Sequence, residues 1–287
     1  RGWHVSTAND PMADQLSPER LFFSTGILLS AEDLAAEQQY HRGRLARALA
    51  YLQGSGTVAG LRVIYRPAQP ATAEQPERPE EIVVDPGMAI DRLGRIIEVP
   101  RQACIRLDRW YNQQTPDNLN LALHGAPYNG VVADIFVRFV VCEHGKTPAF
   151  ASGPFDALDA VVPSRLRDWY ELQLMLRHES DPPLPRSLWA DILAIADAEE
   201  RRLALHEAIF DAWPREADPV NPGQPEPGVE YIADQDRTAV FLARVVIGAD
   251  PAASPEERPT RRDPVTIDND NRLFLYPTRP LAVHSGF

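Results

Sequence analysis

Residues 20–65 read RLFFSTGILLSAEDLAAEQQYHRGRLARALAYLQGSGTVAGLRVIY, and after a proline-rich gap residues 81–99 read EIVVDPGMAIDRLGRIIEV. In chain order, this stretch predicts an extended aromatic segment, a capped helix, a glycine stop, a strand, a loop and a tight hairpin. It contains no pattern typical of a reaction centre. We therefore interpret the stretch as an element that positions other protein.

The segment from Ser30 to Leu52 predicts one long helix. Ser30 is followed three residues later by Asp33, which is close to a capping box and places negative charge in the first turn. The sequence QGSG at 53–56 predicts a glycine-based helix end. One face carries residues spaced by seven, four, three and four positions, here called the α1 seam: Leu34, His41, Leu45, Ala48 and Leu52. Such a seam is typical of a helix that packs against copies of itself, or of one that covers a sheet.

The α1 seam gives a prediction about burial. We expect Leu45 and Leu52 to be buried, either against another chain or against this chain's own sheet. In the first case replacing them by Asp blocks assembly before it blocks folding. In the second case the helix is a scaffold part, and the interface lies in the loops and termini.

The segments after the helix are rich in strand patterns. Thr57–Tyr65 (TVAGLRVIY) predicts one strand, and residues 81–99 predict three short strands with glycine turns of positive φ at Pro86-Gly87 and Leu93-Gly94. Residues 131–142 are apolar on both faces, so we expect a central, buried strand. Further strands are predicted at 104–107, 167–176, 238–247 and 265–276, the last as a hairpin that turns at 269–271. The segments predicted as loops are 67–79, 108–130, 143–163 and 249–264.

Together these patterns predict an α+β fold that is rich in antiparallel or mixed sheets, with one long N-terminal helix and an inserted helical pair. The expected parts are an N-terminal arm (1–19), a helix plus β core (20–180), a helical insertion (185–213), and a C-terminal part (214–287). We expect the C-terminal part to contain a linker, strands that complete the core, and an extended tail.

Composition excludes several functional classes. The 287 residues carry a net charge of −12, which argues against a general surface for nucleic acid or anionic membranes. No apolar run is long enough for a membrane span, and the first residues lack the pattern of a signal peptide. The two cysteines, Cys104 and Cys142, are expected to be buried thiols in a reducing compartment.

An ordered series of motifs carries a family resemblance. It begins with a glycine before two leucines, continues through Glu-Gln-x-Tyr on the helix and Gly-x-Val-x-Gly-Leu-x-Val, and ends with Val-x-Pro-Gly-x-Ala-Ile-Asp-x-x-Gly-Arg-x-Ile-x-Val. The residues are Phe22, Phe23, Gly26, Leu28, Leu29, Asp33, Glu37, Gln38, Tyr40, Gly56, Val58, Gly60, Leu61, Val63, Val84, Pro86, Gly87, Ala89, Ile90, Asp91, Gly94, Arg95, Ile97 and Val99. With the later segments FVRFVVCE, VVPSRLRDWYELQL and FLARVVI, the chain resembles a family associated with phage tails and phage-tail-like contractile injection systems. It departs from the family pattern at Gln39 and Cys142.

The resemblance implies a structural component of a baseplate, a fibre attachment or another tail-associated assembly, and not an enzyme. Its implied partners are other tail, baseplate and fibre proteins and further copies of itself. The implied location is the cytoplasm during assembly and then a virion or injection particle. No cofactor is implied. The alternatives are a receptor- or carbohydrate-binding β module on such a particle and, third, a glycan hydrolase.

The candidate interface residues come from the arm, the aromatic segment and the helix. They are Trp3, Phe22, Phe23, Leu34, His41, Arg44, Leu45, Arg47 and Leu52. The basic side chains Arg44 and Arg47, with Arg42, form either a solvated face or a docking surface for an acidic partner. Arg167 beside Trp169 suits an interface and equally the solvent face of a strand.

The sequence contains only weak motifs for metal binding or catalysis. Cys142 and His144 offer two metal ligands, but the remaining candidates, Cys104, His124 and His178, form no paired spacing of the kind that structural zinc requires. Asp268 and Asp270 resemble half of a calcium loop that lacks its glycine and its bidentate glutamate, and they equally suit a tight turn. The chain has no nucleophile-elbow or phosphate-binding motif. A glycosidase-type carboxylate pair stays open because acidic residues are numerous.

Overall fold

The structure, a computed structural model, describes residues 20–72, 76–148, 161–212 and 228–276. Three expectations fall wholly or largely outside the described residues. They are the N-terminal arm with Trp3, the linker at 214–227, and the tail at 277–287.

The described residues form five helices and eleven strands. The helices are α1 (Ala31–Leu52), α2 (Leu107–Gln113), α3 (Pro116–Leu121), α4 (Leu188–Leu193) and α5 (Ala198–Asp211). The strands are β1 (Gly56–Gly60), β2 (Val63–Arg66), β3 (Glu81–Val84), β4 (Gly87–Ile90), β5 (Ile96–Val99), β6 (Ala103–Arg106), β7 (Leu123–His124), β8 (Gly130–Pro148), β9 (Val161–Leu176), β10 (Val240–Asp250) and β11 (Thr260–Asp268). The predicted α+β class, the long N-terminal helix and the helical pair at α4 and α5 are confirmed.

The strands form three antiparallel sheets. The largest has the order β11-β10-β8-β7, and β9 pairs with β8 along most of its length. The two smaller sheets have the orders β1-β4-β5 and β2-β3-β6. The core lies where these sheets and α2 meet, and its fully buried members include Leu61, Ile82, Ile97, Leu107, Ile135, Leu242 and Ile247. Each such side chain contributes roughly 1.5–3 kcal/mol through burial.

The helix α1 begins as its sequence predicts. The Ser30 backbone N–H donates to Asp33 Oδ2 at 2.7 Å, and the Asp33 N–H donates to Ser30 Oγ at 3.1 Å, which completes the capping box. These hydrogen bonds lower the pKa of Asp33. At the other end Gly54 has φ +80° and donates to the Ala50 carbonyl, so glycine ends the helix.

The segment TVAGLRVIY is two strands, and the prediction of one is wrong. Gly60 (φ +64°) and Leu61 (φ +55°) turn the chain, so β1 pairs with β4 and β2 pairs with β3 in another sheet. Pro86-Gly87 likewise joins two sheets and forms no hairpin, and Gly87 does not have the positive φ that we predicted. Glycine is needed there because a Cβ would lie 2.3 Å from the Ala59 carbonyl oxygen.

The segment 108–130, predicted as a long loop or irregular excursion, is not a single loop, because α2 and α3 cover about half of it. Thr115 caps α3 by accepting from the Asn118 N–H at 3.3 Å, and Pro116 occupies the first turn, where no N–H is needed. The segment 122–124 then returns to the main sheet as β7.

The loop predicted at 67–79 lies between β2 and β3 as expected, whereas the loops predicted at 143–163 and 249–264 are shorter than expected. The central strand β8 is buried as predicted, but it continues to Pro148, and β9 begins at Val161, so both enter the segment predicted as a loop at 143–163. This outer part pairs through the backbone ladder, which needs no apolar side chains. Thr260–Asp268 forms β11, and the hairpin predicted at 265–276 is wrong, because Phe274 makes a parallel bridge to Thr57.

Candidate assembly surface

Large apolar side chains are exposed throughout the aromatic segment and α1. Phe22 is 84% exposed and Leu28 is 93% exposed. We call the full set the α1 apolar surface: Phe22, Phe23, Ile27, Leu28, Leu29, Leu34, Leu45 and Leu52. Single exposed apolar residues are ordinary, but a contiguous group marks an interaction site.

The helix is attached to the protein body through small residues. Ala46 and Ala50 are its buried residues. The turn between β4 and β5 touches the helix backbone at Gly94, where an added Cβ would lie 1.8 Å from the Ala46 carbonyl oxygen. The α1 seam residues Leu34, Leu45 and Leu52 stay exposed on another side of the helix.

The α1 seam points away from this attachment. Because successive helical residues are rotated by about 100°, the seam lies about 140° around the helix from Ala46 and Ala50. Leu45 is 55% exposed and Leu52 is 80% exposed. These leucines therefore do not cover the chain's own sheet, which removes the scaffold alternative. Their burial against another chain stays a prediction.

Charged residues flank the seam. His41 Nε2 lies 3.0 Å from Glu37 Oε1 on the same helix. Arg42 reaches Asp168 of β9 at 3.8 Å, and both side chains are largely exposed. Arg44 is exposed and Arg47 is half-buried. The role of these basic residues in docking stays a prediction.

The outer part of the β8–β9 ribbon lies beside α1. Trp169 is 37% exposed and stacks on Tyr170 with ring centroids 5.1 Å apart, and the Arg167 guanidinium lies 5.9 Å from the Trp169 ring. Leu166 is exposed on the other face of β9. The contact between Asp168 and Arg42 shows that this ribbon is adjacent to α1.

The helical pair carries a second exposed apolar group. The helix α5 has no buried residue, and its capping Asp197 accepts from the N–H groups of Glu199 and Glu200. The exposed apolar side chains of the pair are Leu193, Leu203, Leu205, Ile209 and Phe210. The sequence shows their periodicity but gives no signal that this face lacks a covering element.

The candidate metal ligands lie in separate places. Cys142 is buried in β8, whereas Cys104 is exposed in β6, so the expectation of two buried thiols is wrong for Cys104. His144 is exposed, and its Nε2 is hydrogen-bonded to Arg167 Nη2. His124 Nε2 lies 2.9 Å from the Arg177 carbonyl oxygen. Asp268 accepts from the N–H groups of its own turn. Within the described ranges, no three His, Cys, Asp or Glu side chains are grouped to hold a metal ion.

A buried ionic cluster is the feature that sequence reasoning missed. Asp134 of β8 faces Arg244 of β10 across the ladder and accepts from Arg244 Nε at 2.8 Å and Nη2 at 2.9 Å. Arg177 Nη1 donates to Asp134 Oδ2 at 2.9 Å, and Arg244 Nη1 donates to the Pro182 carbonyl at 2.7 Å. The available signal was the presence of charged residues, Asp134 and Arg244, inside two predominantly apolar strands.

Every buried carboxylate in the described part of the chain is paired with arginine. The pairs are Glu80 with Arg261, Asp91 with Arg95, Asp134 with Arg177 and Arg244, and Glu230 with Arg92. Burial raises the pKa of Asp91 to about 6, with Arg95 opposing the shift. Burial also acts to raise the pKa of Glu80, but hydrogen bonds from Arg261 and Tyr65 outweigh it and lower that pKa. Pairs of this kind fix strands and turns together.

Comparison with models of protein families gives no match to this chain, and a search of curated proteins also gives none. No helix in the described ranges combines the length and the apolar content needed to cross a membrane.

Proposed function

We propose that this chain is a non-enzymatic structural component of a phage tail or a phage-tail-like contractile injection particle. It acts in subunit assembly or in attachment of a fibre or baseplate. The proposal joins the motif series in residues 20–99 to one structural observation. A capped helix and its aromatic lead-in expose eight large apolar side chains to solvent, and the three on the helix lie on the side opposite its buried alanines.

Burial of that surface supplies the driving force for assembly. Each buried apolar square ångström contributes about 25 cal/mol. The body positions the surface, because Gly94 and the two buried alanines fix the helix to the β4–β5 turn. Such a part needs geometry and apolar area, and it needs no reactive group.

The buried ionic residues support a structural role over the glycan-hydrolase alternative. A glycosidase requires two carboxyl groups that flank a substrate, one of them protonated. The buried carboxylates of the described residues are instead hydrogen-bonded to arginine inside the fold. These hydrogen bonds hold the carboxyl groups inside the fold, so the groups do not flank a bound substrate.

One observation favours a second candidate, a carbohydrate-binding module on the same particle. Trp169, stacked on Tyr170 and approached by Arg167, combines an aromatic face with charged donors, as polar-ligand sites do. A glycan array with the isolated chain and a Trp169→Ala variant tests it. Retention of one glycan class that the variant loses supports this candidate.

Quantitative mass spectrometry of purified particles tests the structural proposal. We expect the chain to co-purify with sheath, tube or baseplate proteins in a fixed ratio that survives high-salt washing. Recovery of the chain only as a free protein, with hydrolase activity that depends on one carboxylate, would overturn it.

A further inference from the structure

The α1 seam follows a heptad pattern over the whole helix. Placing Leu45 and Leu52 at a positions puts Leu34, His41 and Ala48 at d positions, and Gln38 takes the remaining central a position. A seam with a and d residues repeating every seven positions is the pattern of helices that pair side by side. Two polar residues, Gln38 at a and His41 at d, lie in the centre of this seam, and a polar residue at a central a position is a known device for setting register.

The body of the protein leaves this seam accessible. The buried residues Ala46 and Ala50 fall at b and f, the outer positions of a heptad. The Gly94 contact lies on the same outer side, at the Ala46 carbonyl. A second helix can therefore approach a and d without meeting the β4–β5 turn.

Charges beside the seam select the partner and its direction. In a parallel, in-register pair, Glu37 at g, which also contacts His41, faces Arg42 at e of the second copy, whose contact with Asp168 within its own chain is long and largely exposed. The symmetric contact forms a second time. In an antiparallel pair with full overlap, Arg44 faces Arg44 and Arg42 faces Arg42, which are repulsive contacts. Gln38 also meets its own copy only in the parallel arrangement, where two amides can hydrogen-bond to each other.

We propose that α1 pairs in parallel and in register with α1 of a second copy of this chain. This deepens the proposed function, since it names the occupant of the α1 seam. Leu34, Leu45 and Leu52 of both copies fill the interface, and the Glu37–Arg42 contacts flank it. The two bodies then lie on the outside of the pair, both near the C-terminal halves of the helices.

Sedimentation equilibrium of the isolated full chain tests the pairing. We expect the wild-type chain to be a dimer at high micromolar concentration. Leu45→Asp removes two buried leucines from a symmetric pair, so it should raise the dimer Kd by about 100-fold or more. Leu121→Asp is the matched control, because Leu121 is 60% exposed on α3, outside the proposed interface, and it should leave the Kd unchanged. A monomeric wild-type chain, or equal effects of the two variants, would overturn the proposal.

Disulfide cross-linking tests the direction. In a Cys104→Ser background, Ala48→Cys places one thiol at a d position of each copy, and a parallel pair brings the two thiols together. In the antiparallel pair, residue 48 faces residue 38, about 15 Å along the helix from its counterpart. Ala36→Cys, at an exposed outer position, is the control and should not cross-link. Absence of a 48–48 disulfide in a dimeric sample would contradict the parallel register.

Sedimentation and particle incorporation together distinguish a failure of the α1 pairing from a failure of the proposed structural function. If the isolated chain is monomeric while Leu45→Asp still prevents incorporation into particles, the occupant of the seam is another protein. The pairing is then wrong and the structural role stands. If the chain dimerises through α1 but no particle contains it, the structural role is wrong and the pairing stands.

Discussion

Asp134 and Arg244 are opposite charges at paired positions of the two central strands. Both are buried, and Arg177 adds a second guanidinium to the same carboxylate. An unpaired charge buried at this position would destabilise the folded state, so each of the three residues can be buried only because the others are present. The cluster ties β8, β10 and the end of β9 together in one place.

Asp134→Ala should therefore lower the free energy of unfolding by about 3–5 kcal/mol, because it leaves two buried guanidinium groups without their carboxylate. Chemical denaturation measures this change. Asp250→Ala is the control, since Asp250 pairs with Arg262 at 2.8 Å on the protein surface, and exposed pairs contribute less than about 1 kcal/mol. Equal losses in the two variants would show that the buried cluster has no special role.

Asp91 gives the fold a pH dependence of defined sign. Burial raises its pKa to about 6 in the folded chain, against about 3.9 for an unfolded aspartate. Between these values the folded state binds more protons than the unfolded state, so this group's contribution to stability falls as the pH rises.

Denaturation of the wild type and of Asp91→Asn at a series of pH values isolates that contribution. The wild type should lose about 2 kcal/mol relative to the variant between pH 4 and pH 7, because the folded-state pKa of Asp91, about 6, lies about two units above the unfolded value. The comparison with asparagine cancels the other titrating groups. A difference that stays constant with pH, or that grows in favour of the wild type, would contradict a raised pKa for Asp91.

The helix α1 depends on one tight contact with the body. Gly94 has φ +80°, and its Cα faces the Ala46 carbonyl so closely that no side chain fits. Gly94→Ala should push α1 off the β4–β5 turn and speed amide exchange in the second half of the helix by about tenfold, equal to about 1.4 kcal/mol. Hydrogen exchange followed by mass spectrometry measures this exchange rate.

Gly26→Ala is the matched control for backbone strain. Gly26 has φ +88°, but nothing lies within 4 Å of its added Cβ. This variant should leave exchange in the second half of α1 unchanged. If both variants speed exchange there to the same extent, backbone strain and not the Ala46 contact explains the effect.

The sequence predicts well those helices and strands whose formation depends on residues within the element itself. The start of α1 follows from Ser30 and Asp33 alone, and β8 and β10 follow from their predominantly apolar residues. The break at Leu61 could not be predicted, because its positive φ is imposed by the pairing of β1 and β2 with different sheets. The outer part of β8 was missed for a different reason, since it pairs with β9 through backbone hydrogen bonds and lacks the apolar side chains that mark the buried part of the strand.

The candidate assembly surface also has features that the sequence predicts and features that depend on the tertiary structure. The spacing of Leu34, Leu45 and Leu52 is visible in the sequence, but their exposure depends on which side of α1 the body occupies. That side is set by Gly94, which lies more than forty residues after Ala46. The ionic cluster was likewise hidden, because Asp134 and Arg244 meet only when β8 and β10 pair.

At the scale of the whole molecule, the chain combines a well-packed β body with exposed apolar helices. The body buries its core between three sheets, whereas α1 and α5 present apolar side chains to solvent. This arrangement suits a subunit whose remaining burial occurs in an assembly. It also predicts that variants of the α1 apolar surface fold normally as isolated chains and fail only in assembly.

The number of copies of the chain per purified particle, measured for the wild type and for Leu45→Asp, tests the central claim most directly. The claim predicts a fixed copy number for the wild type. It predicts loss of the chain from particles for Leu45→Asp, although that variant is folded with unchanged thermal unfolding. Incorporation of a folded Leu45→Asp chain at the wild-type level, or absence of the wild-type chain from particles, would contradict it.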